Sequence, residues 1–394
     1  MDNELINTVA LARLSYFHLN VMVGLYRRMG SATAIVEQRS ELPRMFPSMP
    51  ARIVQELASF DIMRGRAEEE LAWAADHNVQ VLCLNDPLYP RRLKETPDAP
   101  LALFYRGTAD LNARRVINVV GTRHCTPYGE DLIRRFVADL RRCCPDTLIV
   151  SGLAYGVDIH AHRYALANQM DTVAVLAHGL DTLYPQRHRD TANEMVAHGG
   201  LVTEYMTHTQ PDKVNFVRRN RITAGLCDAT ILVESAAKGG GLITTRIAKE
   251  YNRDVFAFPG AVGAPYSEGC NRLIRDCGAG LITSAADFVD AMGWADDQKL
   301  VEARRNGIER QLFPDLSDDE MRIVQLLETT NDLRQDGATH GNDPRPLVPT
   351  RNEGSGQALR RRRLPSARLR RCKARSTMRW ESAGWRRETA LEGR

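Results

Sequence analysis

Short apolar segments that alternate with helix-length segments fill residues 114–294 and restrict the folds open to this chain. The apolar segments are VINVVG, TLIVSG, TVAVLA, LVTEY, ATILVE, DVFAFPG and GLIT. The intervening patterns predict helices at residues 128–143, 158–169, 189–198, 243–251 and 269–277. Strands that are apolar on both faces need helices on each side, so the pattern predicts an α/β fold with a parallel sheet.

Two further regions precede this sheet. Residues 1–78 show helical periodicity only, in LINTVALARL, HLNVMVGLYRRMG, ATAIVEQ, ARIVQELASF and MRGRAEEELAWAADHN. They predict a small helical domain. Residues 79–113 are expected to form a junction, in which the strands VQVLCL and LALFYRG flank a segment rich in turn residues.

The chain changes character after Trp294. Residues 295–333 contain a charged connector and an amphipathic helix in LSDDEMRIVQLLE. Residues 334–394 have little apolar periodicity and are predicted to be disordered. The last 54 residues carry 15 basic against 5 acidic side chains, whereas the first 340 carry 38 against 44. Nucleic-acid binding by the main body therefore requires a local basic patch.

Several classes of protein do not fit the sequence. No apolar run is long enough for a membrane span, and MDNELINTVALARL has acidic residues where a signal peptide needs positive ones, so a cytoplasmic protein is expected. The eight cysteines form no CxxC pair, which favours reduced thiols and no metal site. GxxxxGK[ST], GxGxxG, GxSxG and HExxH are all absent. We therefore expect no cofactor and no catalytic machinery.

The segment VVGTRHCTPYGEDLIRRF places a tight turn between a strand and a helix. Gly121 ends the strand, Thr126 can cap the helix, and Pro127 suits its first turn. Thr122 and Arg123 then lie beside a helix N-terminus, which favours a phosphate contact by Arg123. A surface arginine paired with a carboxylate is the open alternative.

The segment IVSGLAYGVDIHAHRYAL predicts a second loop of this kind. Ser151 and Gly152 close a strand, Gly156 permits an unusual turn, and Asp158 can cap the next helix. Small side chains here let a ligand approach the backbone. The two histidines of IHAH point in different directions on a helix, so packing is favoured over metal binding.

The segment NFVRRNRITAGLCDATILVESAAKGGGLITTRIAKE combines a basic cluster with a glycine-rich loop at a helix start. A mobile glycine loop with solvated charges is the alternative. Glu234 ends a strand, and its structural alternative is to bond the following loop. The candidate phosphate or DNA contacts in this segment are Arg218, Arg219, Asn220, Arg221, Glu234, Lys238, Gly239, Gly240 and Gly241.

In this order, the three segments resemble the DNA processing protein A family (DprA, also called Smf). GLDTLYPQRHRD, VFAFPGAV and EGCNRLIRD also match, and the similarity spans about residues 85–290. The resemblance implies a Rossmann-like core behind a SAM-like or helix-hairpin-helix domain. It aligns Arg123 with the arginine of the family's GxR turn and Lys238 with the lysine of its glycine-rich loop. Arg218, Arg219 and Arg221 fall in the family's RRNR-like stretch.

The family resemblance also implies a function. It describes a non-enzymatic protein of natural transformation that binds single-stranded DNA, protects incoming strands, helps load the RecA recombinase and forms a homodimer. Stacking of bases is expected on Tyr128, Tyr155 or Phe216. The rival interpretations are a Rossmann-like nucleotide phosphoribohydrolase, whose PGGxGTxxE motif is absent, and a nucleotide sensor.

The sequence departs from the family pattern in three places. Ala177 and His178 stand where Gly-Thr is common, and Gly240 stands where serine is common. Of the family's C-terminal winged-helix domain, only the first helix is recognisable, which makes this region incomplete or atypical. The arginine-rich sequence after residue 334 looks like translation in a shifted frame, with a natural basic tail as the alternative.

Overall fold

A computed structural model describes residues 2–14 and 18–295. The predicted connector and first winged-helix helix at 295–333, apart from residue 295, and the predicted disordered tail at 334–394 lie outside the described residues. The strands are β1 (Gln80–Cys83), β2 (Ala102–Gly107), β3 (Arg115–Val120), β4 (Thr147–Ser151), β5 (Thr172–Val175), β6 (Gly199–Thr203), β7 (Ala229–Leu232), β8 (Asp254–Ala257) and β9 (Gly280–Leu281).

Helices occupy most of the remaining described chain. Those before the third strand are α1 (Asn3–Leu14), α2 (Leu19–Met29), α3 (Ala32–Glu37), α4 (Leu42–Met45), α5 (Ala51–Ala58), α6 (Phe60–Asp76) and α7 (Arg91–Lys94). Those after it are α8 (Pro127–Cys143), α9 (Val157–Ala167), α10 (Arg189–Ala197), α11 (Lys213–Gly225), α12 (Gly241–Glu250), α13 (Glu268–Arg275) and α14 (Ala285–Ala291).

The described strands form one nine-stranded sheet in the order β1-β2-β6-β5-β4-β3-β7-β8-β9. Strands β3 to β9 are mutually parallel, which confirms the predicted α/β fold and its Rossmann-like core. Strands β1 and β2, which the sequence placed in a junction, extend the same sheet as antiparallel strands at one edge. The sheet is therefore mixed, since β2 runs antiparallel to both of its neighbours, β1 and β6.

Alternating side chains of β3 enter apolar cores on opposite sides of the sheet. Ile117 and Val119 of β3 pack with α8, α9 and α14 on one side. Val116, one position away, belongs to the core on the other side, which contains α11 residues and most of the N-terminal helices. This second core is continuous from Val9 of α1 to Phe104 of β2, so the helical region is packed directly against the sheet.

The buried histidine of α9 makes a packing contact. His162 is fully buried, and its Nδ1 lies 2.6 Å from the Thr172 hydroxyl, whereas His160 lies 3.3 Å from Glu130 nearer the surface. Among the described residues, no group of His, Cys, Asp or Glu is arranged to hold a metal ion. The described helices also include none that is long and apolar enough to cross a bilayer.

Acidification is expected to destabilise the fold through His162. Burial, with a smaller effect of the charges of Arg219 and His188, lowers the pKa of His162 to about 3. An unfolded histidine has a pKa of about 6.5, so unfolding takes up a proton as pH falls below that value. Stability should fall by up to about 1.4 kcal/mol per pH unit. Urea unfolding at pH 7 and pH 5.5 should show this loss in the wild type and a smaller loss in His162→Asn.

Candidate nucleic-acid interface

A cleft of about 310 Å³ opens at the carboxyl ends of β3, β4 and β7. Strand order reverses beside β3, since the chain builds the sheet first towards β6 and then towards β9. Such a reversal is where open α/β sheets bind ligands. The predicted site residues that line this cleft are Gly121, Thr122, Arg123, Gly152, Arg219, Asn220, Gly239, Gly240 and Gly241.

Glu234 forms hydrogen bonds with the turn that carries Arg123. The carboxylate of buried Glu234 accepts hydrogen bonds from Thr126 N (2.9 Å) and from the Thr126 hydroxyl (2.6 Å), and its own carbonyl accepts from Thr122 N (2.8 Å). Glu234 lies outside the cleft lining and bonds the preceding Arg123 turn, not the loop that follows it. Thr126 also accepts from Gly129 N and so caps α8, as predicted.

Gly156 fixes the opposite side of the same turn. Its φ is +75°, a conformation that favours glycine, and a Cβ there would lie 2.3 Å from the Thr122 carbonyl oxygen. Val157 N donates to that same oxygen at 3.1 Å. Gly156 therefore acts through the backbone of the turn and does not line the cleft. Ser151 is likewise buried, and its hydroxyl donates to Val119 O at 2.6 Å.

Arg123 lies at the mouth of the cleft over an aromatic ring. Its guanidinium carbon is 5.1 Å from the centre of the Phe216 ring on α11. Among the described residues it forms no ion pair, so its N–H groups remain available to a ligand. Tyr184 lies beside Phe216 at 5.7 Å between ring centres. A cation and two aromatic rings thus lie together beside the cleft.

The glycine loop also lines the cleft, and its Gly241 lies next to Gly121, where a Cβ would be 3.4 Å from Gly121 Cα. Gly241 begins α12, where Leu242 N and Ile243 N already donate to Gly239 O (3.2 Å) and Gly240 O (3.0 Å). The N–H groups that this helix start offers a ligand are therefore those of the glycines themselves, Gly240 and Gly241. A Cβ on Gly241 would lie 2.6 Å from Leu232 Cδ1, whereas a Cβ on Gly240 meets nothing within 4 Å. The serine that is common in the family at position 240 would therefore fit here. Lys238 is exposed in the same loop but does not line the cleft.

Removing the Lys238 charge tests whether it reaches a bound strand. Each phosphate contact contributes about −0.7 to the slope of log K against log salt for a single strand. Lys238→Ala should flatten that slope by about this amount and weaken all sequences alike. Titrations of one oligonucleotide at several salt concentrations measure the slope. An unchanged slope would identify Lys238 as a solvated loop charge.

The arginines of the predicted basic cluster lie on helix α11 and point in different directions. Arg219 points into the floor of the cleft, where its Nη1 donates to Val175 O at 2.8 Å and packs on Gly152, whose Cβ position lies 1.7 Å from that nitrogen. Arg221 is buried elsewhere, in an ion pair with Glu204 and a hydrogen bond to Asp98 O. Residues two apart on a helix face different directions.

Arg218 and Arg221 therefore lie outside the cleft. Both line a separate hollow beside Tyr251. The sequence grouped them with Arg219 because α11 was not among the predicted helices. Their assignment as contacts of this cleft does not fit the structure, although Arg218 is partly exposed nearby.

Asp158 is a cleft residue that the sequence assigned to another role. The N-cap of α9 is Gly156, and Asp158 lies in the first turn, where it accepts a long hydrogen bond (3.4 Å) from Ala154 N and interacts with the Ser151 side chain. It is 8% exposed and lines the floor. Burial raises the pKa of Asp158, although the charge of Arg219 opposes this shift. Val217, Thr223 and Thr244 are further lining residues that the motifs did not reveal.

The remaining aromatic candidates lie outside the cleft lining. Tyr128 donates its hydroxyl to Pro259 O at 3.0 Å, and Tyr155 packs edge-on against His188. His178, the departure from the family pattern, is buried. Its Nε2 accepts from Tyr184 N at 3.2 Å, so its Nδ1 carries the proton and donates to Gly179 O at 2.9 Å. His178 thereby fixes the loop that brings Tyr184 to Phe216.

Comparison with known proteins identifies the family. A sequence profile described as DNA recombination-mediator protein A matches residues 80–293, more than half of the chain. The chain belongs to the DNA recombination-mediator protein A family. DNA processing protein DprA of Streptococcus pneumoniae is 41% identical over 204 residues, which are 52% of this chain and 71% of that protein. Its X-ray structure superposes with a TM-score of 0.55 and 36% identity, covering 62% of this chain and 82% of that one.

Other family members match different shares of the chain. Protein Smf of Escherichia coli is 36% identical over 282 residues, which are 71% of this chain and 73% of that protein. A structure of DNA processing protein A from Helicobacter pylori, described for its single-stranded DNA binding mode, covers 54% of this chain and 95% of its own, with 27% identity and a TM-score of 0.49. The alignment with the E. coli protein, over 282 residues, is longer than the region 80–293 that the family profile matches.

Proposed function

We propose that this recombination-mediator protein binds single-stranded DNA in the cleft at the carboxyl edge of its sheet. The observation that carries the proposal is the position of Arg123, which is exposed over Phe216 in the same cleft as the glycine-led start of α12. Arginine and helix N–H groups bind phosphates, while an aromatic face accepts any base. This combination gives recognition of strands that is largely independent of sequence.

The chemistry of the cleft favours binding over catalysis. Its described lining residues include no serine, cysteine, histidine or lysine, and the possible nucleophiles among them are three threonines and Asp158. The Thr223 hydroxyl donates to Arg219 O and not to Asp158, so the described cleft shows no nucleophile activated by a base. We therefore propose a non-enzymatic role. The rival phosphoribohydrolase activity would need a group to activate the attack on a ribosyl carbon, and the buried carboxylate of Asp158 is the one lining acid among the described residues.

The cellular role that we propose for this protein is based on its family membership. We propose a cytoplasmic protein of natural transformation that protects incoming single strands and helps load the RecA recombinase, and that acts as a homodimer. Two clefts on one strand would raise affinity through effective concentration, without any new contact. Family membership supports this part of the proposal.

Binding of matched ligands to the full chain tests the proposal. Fluorescence anisotropy compares the affinities for one oligonucleotide as a single strand, for the same sequence as a duplex, and for nucleoside monophosphates. The salt concentration is about 0.15 M, at which charges more than about 8 Å apart are screened. Tight binding of the single strand only is the expected result. Equal binding of duplex would contradict it, and release of ribose 5-phosphate from the monophosphates would establish the rival enzyme.

A further inference from the structure

The connection between β6 and α11, residues 204–212, leads into a helix that lines the cleft. That helix supplies Phe216, Arg219 and Asn220 to the lining. Within the connection, His208 has a φ of +66°, a backbone conformation that residues other than glycine rarely adopt. Such a conformation persists only where surrounding contacts hold it. The contacts that hold the β6–α11 connection therefore help to set the position of α11.

Two side chains of α6, in the N-terminal helical region, bind every polar group of Thr207 in this connection. The Glu70 carboxylate accepts from Thr207 N (3.0 Å) and from the Thr207 hydroxyl (2.6 Å). Arg66 Nη2 donates to Thr207 O (3.0 Å), to the same hydroxyl (2.6 Å) and to Glu70 (2.7 Å). Glu70 is 1% exposed and Thr207 is 6% exposed, so these hydrogen bonds are largely shielded from water.

The attachment of α6 to the rest of the protein has a separate, apolar basis. Ala67, Leu71 and Ala74 of α6 belong to the core that the helical region shares with the sheet. A buried ion pair contributes little net stability, because desolvation offsets the attraction between its charges, and its attested use is to fix one conformation. The pair of Arg66 and Glu70 therefore acts mainly on the connection that it binds.

The β6–α11 connection is also bonded to the aromatic side of the cleft. Asp181 accepts a hydrogen bond from His208 N at 2.9 Å, and it lies in the loop that brings Tyr184 to Phe216. The last residue of the connection, Asp212, caps α11. A shift of the connection would therefore move both the start of α11 and the ring that follows one turn later.

We propose that Glu70 and Arg66 are positioning residues for strand binding, which fix the place of Phe216 through the β6–α11 connection. This inference rests on the proposed binding of single-stranded DNA, in which Phe216 and Arg123 form one contact surface. Among the described residues that line the cleft, none precedes Val120. The helical region thus contributes to the affinity of the cleft from outside its lining.

Glu70→Gln tests the proposal with a charge change that opposes the expected result. The amide turns an N–H₂ group towards the donors of Thr207 or Arg66, so the connection loses its hold. Loss of a negative charge by itself favours an anionic strand, whereas displacement of Phe216 should weaken binding of an oligo(dT) strand about fivefold. Glu68→Gln is the control, since it makes the same charge change at a half-exposed position of α6 and should bind at least as tightly as the wild type. Equal affinities of the two variants in fluorescence anisotropy would overturn the proposal.

A double-mutant cycle with Phe216→Ala separates positioning from general destabilisation. Once the ring is removed, its position no longer matters, so adding Glu70→Gln should cost little further affinity. Residues that act independently give additive losses. A loss of about fivefold from Glu70→Gln in both backgrounds would therefore overturn the proposal.

Two substitutions of Thr207 test the same contact from the other side. Thr207→Ser keeps the N–H, carbonyl and hydroxyl groups that α6 binds, and it should bind the strand like the wild type. Thr207→Val keeps the shape but loses the hydroxyl, and it should weaken binding severalfold, again only while Phe216 is present. A Thr207→Val protein that binds as tightly as Thr207→Ser would overturn the proposal. Failure of the wild type to bind any single strand would overturn the proposed function itself, and this inference with it.

Discussion

Arg123→Ala is expected to weaken binding of single-stranded DNA by roughly tenfold to a hundredfold. A hydrogen bond from a charged group contributes about 1.5–3 kcal/mol, and the variant also loses the cation held over Phe216. The fold should be unaffected, because Arg123 is exposed and its turn is held through Glu234 and Gly156. Anisotropy titrations at constant salt measure the loss, and thermal melting tests the fold.

A matched arginine separates this contact from general electrostatics. Arg142 is a well-exposed arginine at the far end of α8, paired with Asp139 and outside the cleft lining. Arg142→Ala removes the same charge and should change affinity only slightly, since exposed charges beyond a Debye length are screened. If Arg123→Ala binds single strands as tightly as Arg142→Ala does, Arg123 makes no phosphate contact.

The centre of the sheet was predictable because strands β3 to β7 are buried on both faces. A strand such as VINVV has no solvent side, and an uninterrupted apolar run between turn residues is distinctive. Helix α11 was missed because its buried face carries Arg219 and Arg221, which read as surface residues in the sequence. A local signal was present, however. Asp212 caps the helix by accepting from Val214 N (2.7 Å) and Asn215 N (2.9 Å).

The candidate site was predictable only in part. Loops at strand ends can be placed from sequence, because the carboxyl ends of parallel strands share one edge. Contacts between distant segments cannot, and the cleft depends on them: Arg123 meets Phe216, and Arg219 packs on Gly152. The direction of each side chain on α11 is set by the helical geometry. That Arg219 points into the cleft and Arg221 points away from it therefore becomes clear only once the helix is known.

Arg221→Met is expected to lower the free energy of unfolding by about 3–5 kcal/mol, the usual cost of leaving one member of a buried ion pair alone. Arg221 is 6% exposed, pairs with Glu204 and donates to Asp98 O at 2.6 Å, so its loss leaves the largely buried carboxylate of Glu204, whose side chain is 14% exposed, without its cation. Urea unfolding of the full chain, followed by circular dichroism, measures the change. Arg246→Met, at an exposed position of α12, is the control and should change stability little.

The double variant Arg221→Met with Glu204→Leu decides what Arg221 does. Replacing both members of a buried pair by apolar residues is often neutral, because neither charge is then buried alone. Stability should therefore return most of the way to the wild-type value, and binding of single-stranded DNA should stay close to that of the wild type. If the double variant is stable but has lost binding, Arg221 contacts the strand, as its place in the basic cluster first indicated. If stability is not regained, Arg221 stabilises the fold mainly through its hydrogen bond to Asp98 O and not through its ion pair with Glu204.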